Sequence, residues 1–82
     1  MNMTNMTDNK LLKIGQVAKQ TGELVTTLRF YLKEGLITVR DTTRSGYQLF
    51  DPSTVDRIRQ IRLWQKDQRL TLSEIKGRLN NG

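Results

Sequence analysis

The stretch Val25-Thr26-Thr27-Leu28-Arg29-Phe30-Tyr31-Leu32-Lys33-Glu34-Gly35-Leu36-Ile37 limits what this chain can fold into more than any other. Wound at about 100° per residue, it lines up Leu24, Val25, Leu28 and Leu32 as one apolar stripe. The opposite face then carries Thr26, Thr27, Phe30 and Lys33, with Arg29 and Tyr31 on the flanks. A short surface helix has no packing reason to show water two small hydroxyls, a phenylalanine and a base together. A helix that enters a nucleic-acid groove does. Gly35 reads as its stop signal.

The flanking segments give this helix a setting. Ile14 to Gly22 predicts a shorter helix with Val17 and Ala18 inward and Gly22 at its end. Two short helices joined by a brief Gly-containing turn make a helix-turn-helix unit. Leu36–Arg40 and Tyr47–Phe50 are expected to extend as strands, with Asp41–Gly46 turning between them to form a hairpin wing. Asp51 is an expected N-cap and Pro52 an expected first helical residue. Val55, Ile58, Ile61 and Trp64 then set a buried seam in a helix reaching about Asp67, with Arg57, Arg59, Arg62 and Lys66 facing outward. Thr71 and Glu74 are spaced as a capping box for a last helix whose apolar face is Leu72, Ile75 and Leu79.

The expected fold is thus mainly α with a small β-hairpin, a winged helix-turn-helix of about four helices. Residues 1–10 read as a disordered leader rich in Asn, Met and Thr, and 11–82 as the folded domain. A chain of 82 residues buries one modest core. It contains no Cys and no His, which argues against thiolate or imidazole metal sites and against most hydrolytic chemistry. No cofactor is expected, and its eight carboxylates form no catalytic set along the chain. Fourteen Lys and Arg against eight Asp and Glu leave a net charge of +6, which suits a polyanionic partner. Neither a membrane span nor a signal peptide is legible, so a cytoplasmic protein is expected.

In this order and spacing, Thr27-Leu28-Arg29-Phe30-Tyr31, Glu34-Gly35-Leu36 and Gly46-Tyr47 resemble the DNA-binding domain of MerR-type transcriptional regulators. The likeness runs from about Leu12 to Leu79. It implies that the second helix lies in the major groove of a promoter operator, the hairpin presses on the flanking backbone, and the later helix pair forms a second wing. It also implies a longer parent protein, homodimeric and acting on RNA polymerase through the duplex. This chain reads as its excised DNA-binding domain in preference to a short stand-alone relative, and as an isolated domain it is expected to be a monomer. The residues themselves supply the chemistry expected there. Thr26 and Thr27 suit phosphates, base edges and thymine methyls, and Arg29, Lys33, Arg40 and Arg44 suit phosphates. Phe30 and Tyr31 offer flat surfaces, Gly46 lets the wing turn tightly, and the Tyr47 hydroxyl reaches the backbone. Gln48, Lys66 and Arg69 complete the candidate DNA-binding set.

Four positions depart from the family pattern. Gln48 stands where Arg is common, Leu32 where Glu is common, Leu24 where a capping Ser or Thr is usual, and Arg69 where a turn glycine is usual. Two other readings accompany the main one. An excisionase-like architectural factor would bend DNA with a similar fold, and a protein-interaction module would use the Arg-rich helix against an acidic partner.

Overall fold

In a computed structural model, residues 10–81 are described; residues 1–9 of the expected 1–10 leader lie outside them. The elements in chain order are β1 (Leu12–Lys13), α1 (Ile14–Thr21), α2 (Val25–Lys33), β2 (Asp41–Thr42), β3 (Gln48–Phe50), α3 (Ser53–Asp67) and α4 (Leu72–Asn81). The strands form one antiparallel sheet ordered β1-β3-β2, with Leu12 opposite Phe50, Lys13 opposite Leu49, and Thr42 opposite Gln48.

Val17, Leu28, Leu36, Ile37, Phe50, Ile58, Ile61 and Ile75 have almost no solvent exposure, so every helix and the sheet contribute to one core. The expected seam of α3 is present in Val55, Ile58 and Ile61, and Trp64 packs half-buried against it. A Schellman motif closes α2. The Leu36 N–H donates to the Tyr31 carbonyl at 2.9 Å and the Gly35 N–H to the Leu32 carbonyl at 3.1 Å. Gly35 sits at φ +78° to allow it, a conformation that costs a side-chain-bearing residue about 1 kcal/mol.

The hairpin is shorter than expected. Leu36 and Ile37 are both 1% exposed, and adjacent strand residues cannot both face one core. They instead wrap the end of α2, and the ladder starts only where the Arg40 N–H donates to the Leu49 carbonyl at 2.8 Å. Asp41 and Thr42 belong to β2, not to the turn. The turn is Thr43–Gly46, closed by the Gly46 N–H on the Thr43 carbonyl at 2.9 Å, with Gly46 at φ +94°. Its register is pinned again by the Tyr47 N–H, which donates to the Thr43 hydroxyl at 3.0 Å.

Asp51 starts α3 as expected, since its Oδ1 accepts the Ser53 N–H at 2.9 Å and Pro52 already has helical angles. The capping box of α4 is reciprocal. Glu74 Oε1 accepts from the Thr71 N–H (2.9 Å) and hydroxyl (3.0 Å), while the Glu74 N–H donates to the Thr71 hydroxyl at 3.1 Å. Both carboxyls are held below their ordinary pKa, chiefly by the backbone N–H of Ser53 on Asp51 and of Thr71 on Glu74. Because folding depresses these pKa values, the stabilisation is present above about pH 4 and is lost as pH falls through the folded-state values. The unfolding midpoint is therefore expected to drop on acidification below about pH 4, and less steeply in Glu74→Gln, which keeps an acceptor but does not titrate. Melting curves across that range check it.

Arg69 ends α3 in the left-handed region, at φ 52°, the one described non-glycine residue there. The usual glycine at this turn thus has a backbone reason, and Arg69 carries strain that glycine would not. Arg69→Gly is expected to raise stability by up to about 1 kcal/mol, read as a shift of the urea midpoint.

Candidate nucleic-acid interface

The exposed face of α2 is built by exclusion. Leu28 is fully buried and Val25 and Leu32 are half-buried, which turns Thr26, Arg29, Phe30 and Lys33 outward. Phe30 keeps 45% of its surface exposed, its ring tilted against Tyr31 with centroids 6.5 Å apart. Thr27 is half-buried on the edge of that face. Among the described residues, neither Arg29 nor Lys33 forms an ion pair.

Two side chains of this segment lie elsewhere than the periodicity placed them. Tyr31 is 5% exposed and belongs to the core, not to a solvent flank. The reason is angular: Tyr31 lies about 60° from Leu28 around the axis, within the arc that α3 covers. Only its hydroxyl reaches a cleft between α2 and α3, where it donates to Gln65 Oε1 at 3.5 Å, with Glu23, Arg59, Arg62, Leu63 and Lys66 around it. Burial raises the Tyr31 pKa, with Glu23 adding to the rise and Arg62 opposing it. Leu24 is not part of the apolar stripe either. It precedes the helix with extended backbone (φ −79°, ψ 146°), so the helical period does not apply, and it is 70% exposed. It offers α2 no side-chain cap. Leu24→Ser is expected to stabilise the fold by about 1 kcal/mol, again by urea titration.

On the wing, Arg44, Gly46, Tyr47 and Gln48 are all exposed, Tyr47 at 56%. Arg40, at the root, pairs with Asp51 at 3.0 Å, which occupies part of its guanidinium and leaves the remaining donors open. Lys66 in the last turn of α3 and Arg69 in the α3–α4 turn are exposed. The candidate cations therefore fall into three segments: the outer face of α2, the hairpin, and the end of α3 with the turn that follows it.

Arg59 and Arg62 are more than a solvated face. Arg62 Nε pairs with Glu23 at 2.8 Å and its Nη1 donates to the Thr21 carbonyl at 3.1 Å, while Arg59 Nη2 donates to the Gln20 carbonyl at 3.2 Å. They satisfy the open carbonyls at the C-terminus of α1 and fix α3 against the turn that aims α2. No periodicity signals such a role, because it depends on which elements meet. Among the described residues no cluster of His, Cys, Asp or Glu is suited to a metal, and no helix is long and apolar enough to cross a membrane.

Comparison with known proteins places this geometry. The profile of the MerR HTH family regulatory proteins matches residues 12–82. The chain is 36% identical over 63 residues to a mercuric resistance operon regulatory protein of Bacillus cereus, covering 77% of this chain and 47% of that protein. It is 38% identical over 50 residues to the nodulation protein NolA of Bradyrhizobium elkanii, covering 61% and 23% respectively. The crystal structure of a MerR family transcriptional regulator from Bacillus cereus superposes with a TM-score of 0.74 at 26% identity, over 84% of this chain and 51% of that one. The chain thus spans about half the length, or less, of the proteins it matches.

Proposed function

The chain belongs to the MerR HTH family of regulatory proteins and is a DNA-binding winged helix-turn-helix domain of that family, and on that premise we propose that it recognises a promoter operator with α2 in the major groove. Thr26, Thr27, Arg29, Phe30 and Lys33 face the groove, Arg40, Arg44, Gly46, Tyr47 and Gln48 follow the backbone beside it, and Lys66 and Arg69 hold phosphates on the other side. Tyr31 acts mainly by positioning α2, with its hydroxyl alone within reach of solvent. Within a longer protein the domain works in a homodimer on cytoplasmic promoter DNA, and any effect on RNA polymerase passes through the duplex. As this chain it is a monomer.

The observation that carries the reading is the outward face of α2, where an exposed Phe30 stands among a threonine and two basic side chains that form no ion pair with the described residues. Water gains nothing from that grouping, and a groove offering phosphates, base edges and thymine methyls engages every member of it. Selection of bound duplexes from a random pool tests it. Enrichment of one half-site sequence is expected; uniform recovery of all sequences at fixed salt would refute specific recognition.

A further inference from the structure

Lys13 belongs to none of the patterned segments, since it precedes α1 and stands in a two-residue strand. The sheet register gives it a neighbour. Lys13 pairs with Leu49, and Tyr47 lies two residues before Leu49, which makes Lys13 and Tyr47 diagonal neighbours on one face. Lys13 Nζ indeed stands 4.3 Å from the Tyr47 ring centroid, within cation–π reach. The backbone beneath it is fixed, because the Lys13 N–H donates to Gln16 Oε1 at 2.8 Å.

No carboxylate neutralises this ammonium among the described residues. The acid in the same cross-strand row, Asp41, is one strand further, roughly 10 Å away. It turns back to accept the Thr42 N–H at 2.7 Å. The side of the wing next to β1 therefore carries a cation laid against an exposed phenol, its charge uncompensated among the described residues.

We propose that Lys13 and Tyr47 form one phosphate-binding unit between β1 and the hairpin, resting on the DNA-binding reading above. The ring holds the ammonium in place, so that the cation and the phenolic hydroxyl meet the sugar-phosphate backbone together. β1 thereby adds to the interface a third cation beside the hairpin's own Arg40 and Arg44.

Titration of a fluorescein-labelled duplex at several KCl concentrations tests it, with Arg44→Gln as a reference for the wing. Lys13→Gln is expected to weaken binding about fivefold at 0.15 M salt and to lower the salt slope by about 0.9. Lys13→Arg, which keeps the charge and stacks on a ring, is expected to retain both. Lys13→Gln placed on Tyr47→Leu should cost less than it does alone. If Lys13→Gln leaves affinity and slope unchanged while Arg44→Gln lowers them, the unit is refuted and the DNA reading stands. Independent, multiplying effects of the two substitutions would also refute the unit. Failure of the parent chain to bind any duplex would instead remove the DNA reading and this proposal with it.

Discussion

Replacing Arg29 by alanine is expected to weaken operator binding roughly tenfold to hundredfold, the 1–3 kcal/mol of a lost base-edge contact, with the unfolding midpoint unchanged. The separation of the two effects follows from its surroundings. Arg29 is exposed on the outer face of α2 and pairs with no carboxylate among the described residues, so truncation leaves no partner stranded. The form of the loss reports the kind of contact. A phosphate contact lowers affinity for all duplexes alike and reduces the salt slope by about 0.9. A forked contact to guanine relaxes the preference at one base position, and Arg29→Lys, which keeps charge but not the fork, does not restore it. Unchanged affinity in Arg29→Ala would overturn the placement of α2 in the groove. The neighbouring Tyr31→Ala cannot serve this purpose, since it removes a ring that is 5% exposed and would unfold the domain before it reported on DNA. Tyr31→Phe, which deletes only the hydroxyl donated to Gln65, is the usable variant.

The contrast between these two neighbours shows what a sequence of this kind discloses. The helices were legible because their cues are local: the stripe of Leu28 and Leu32, the Asp51 start, the Thr71–Glu74 box and the Gly22 and Gly35 stops each act within a turn or two of chain. The features that escaped are set by the meeting of distant segments. Leu36 and Ile37 resemble a strand in composition, yet the end of α2 and the core draw both inward. β1 is two residues long and exists only because β3 offers an edge. Arg59 and Arg62 look like a solvated face until α1 brings its terminal carbonyls to them. Arg69 is the converse case: the departure from the family pattern expected there flagged the turn, and the backbone angle explains it. In the candidate interface, Thr26, Arg29, Phe30 and Lys33 could be placed by angle alone, whereas Tyr31 needed the width of the arc covered by α3, and Lys13 needed the strand register.

That dependence of the wing on the core leads to the largest stability effect expected. Phe50→Ala should destabilise the domain by about 3–5 kcal/mol, the cost of emptying the space of a buried aromatic ring. Phe50 has no solvent exposure, closes β3 and pairs with Leu12 of β1, so one side chain ties both strands to the helical core. Domains of this size have total stabilities at the low end of 5–15 kcal/mol, and so the variant is expected to be largely unfolded at 37 °C. Phe50→Leu keeps most of the volume and should retain the fold at a cost of about 1 kcal/mol. Circular dichroism melts of the two variants decide it. A cooperative melt of Phe50→Ala close to that of the parent would mean that the hairpin stands without its anchor. The wing would then be an appendage, not part of the same cooperative unit as the recognition helix.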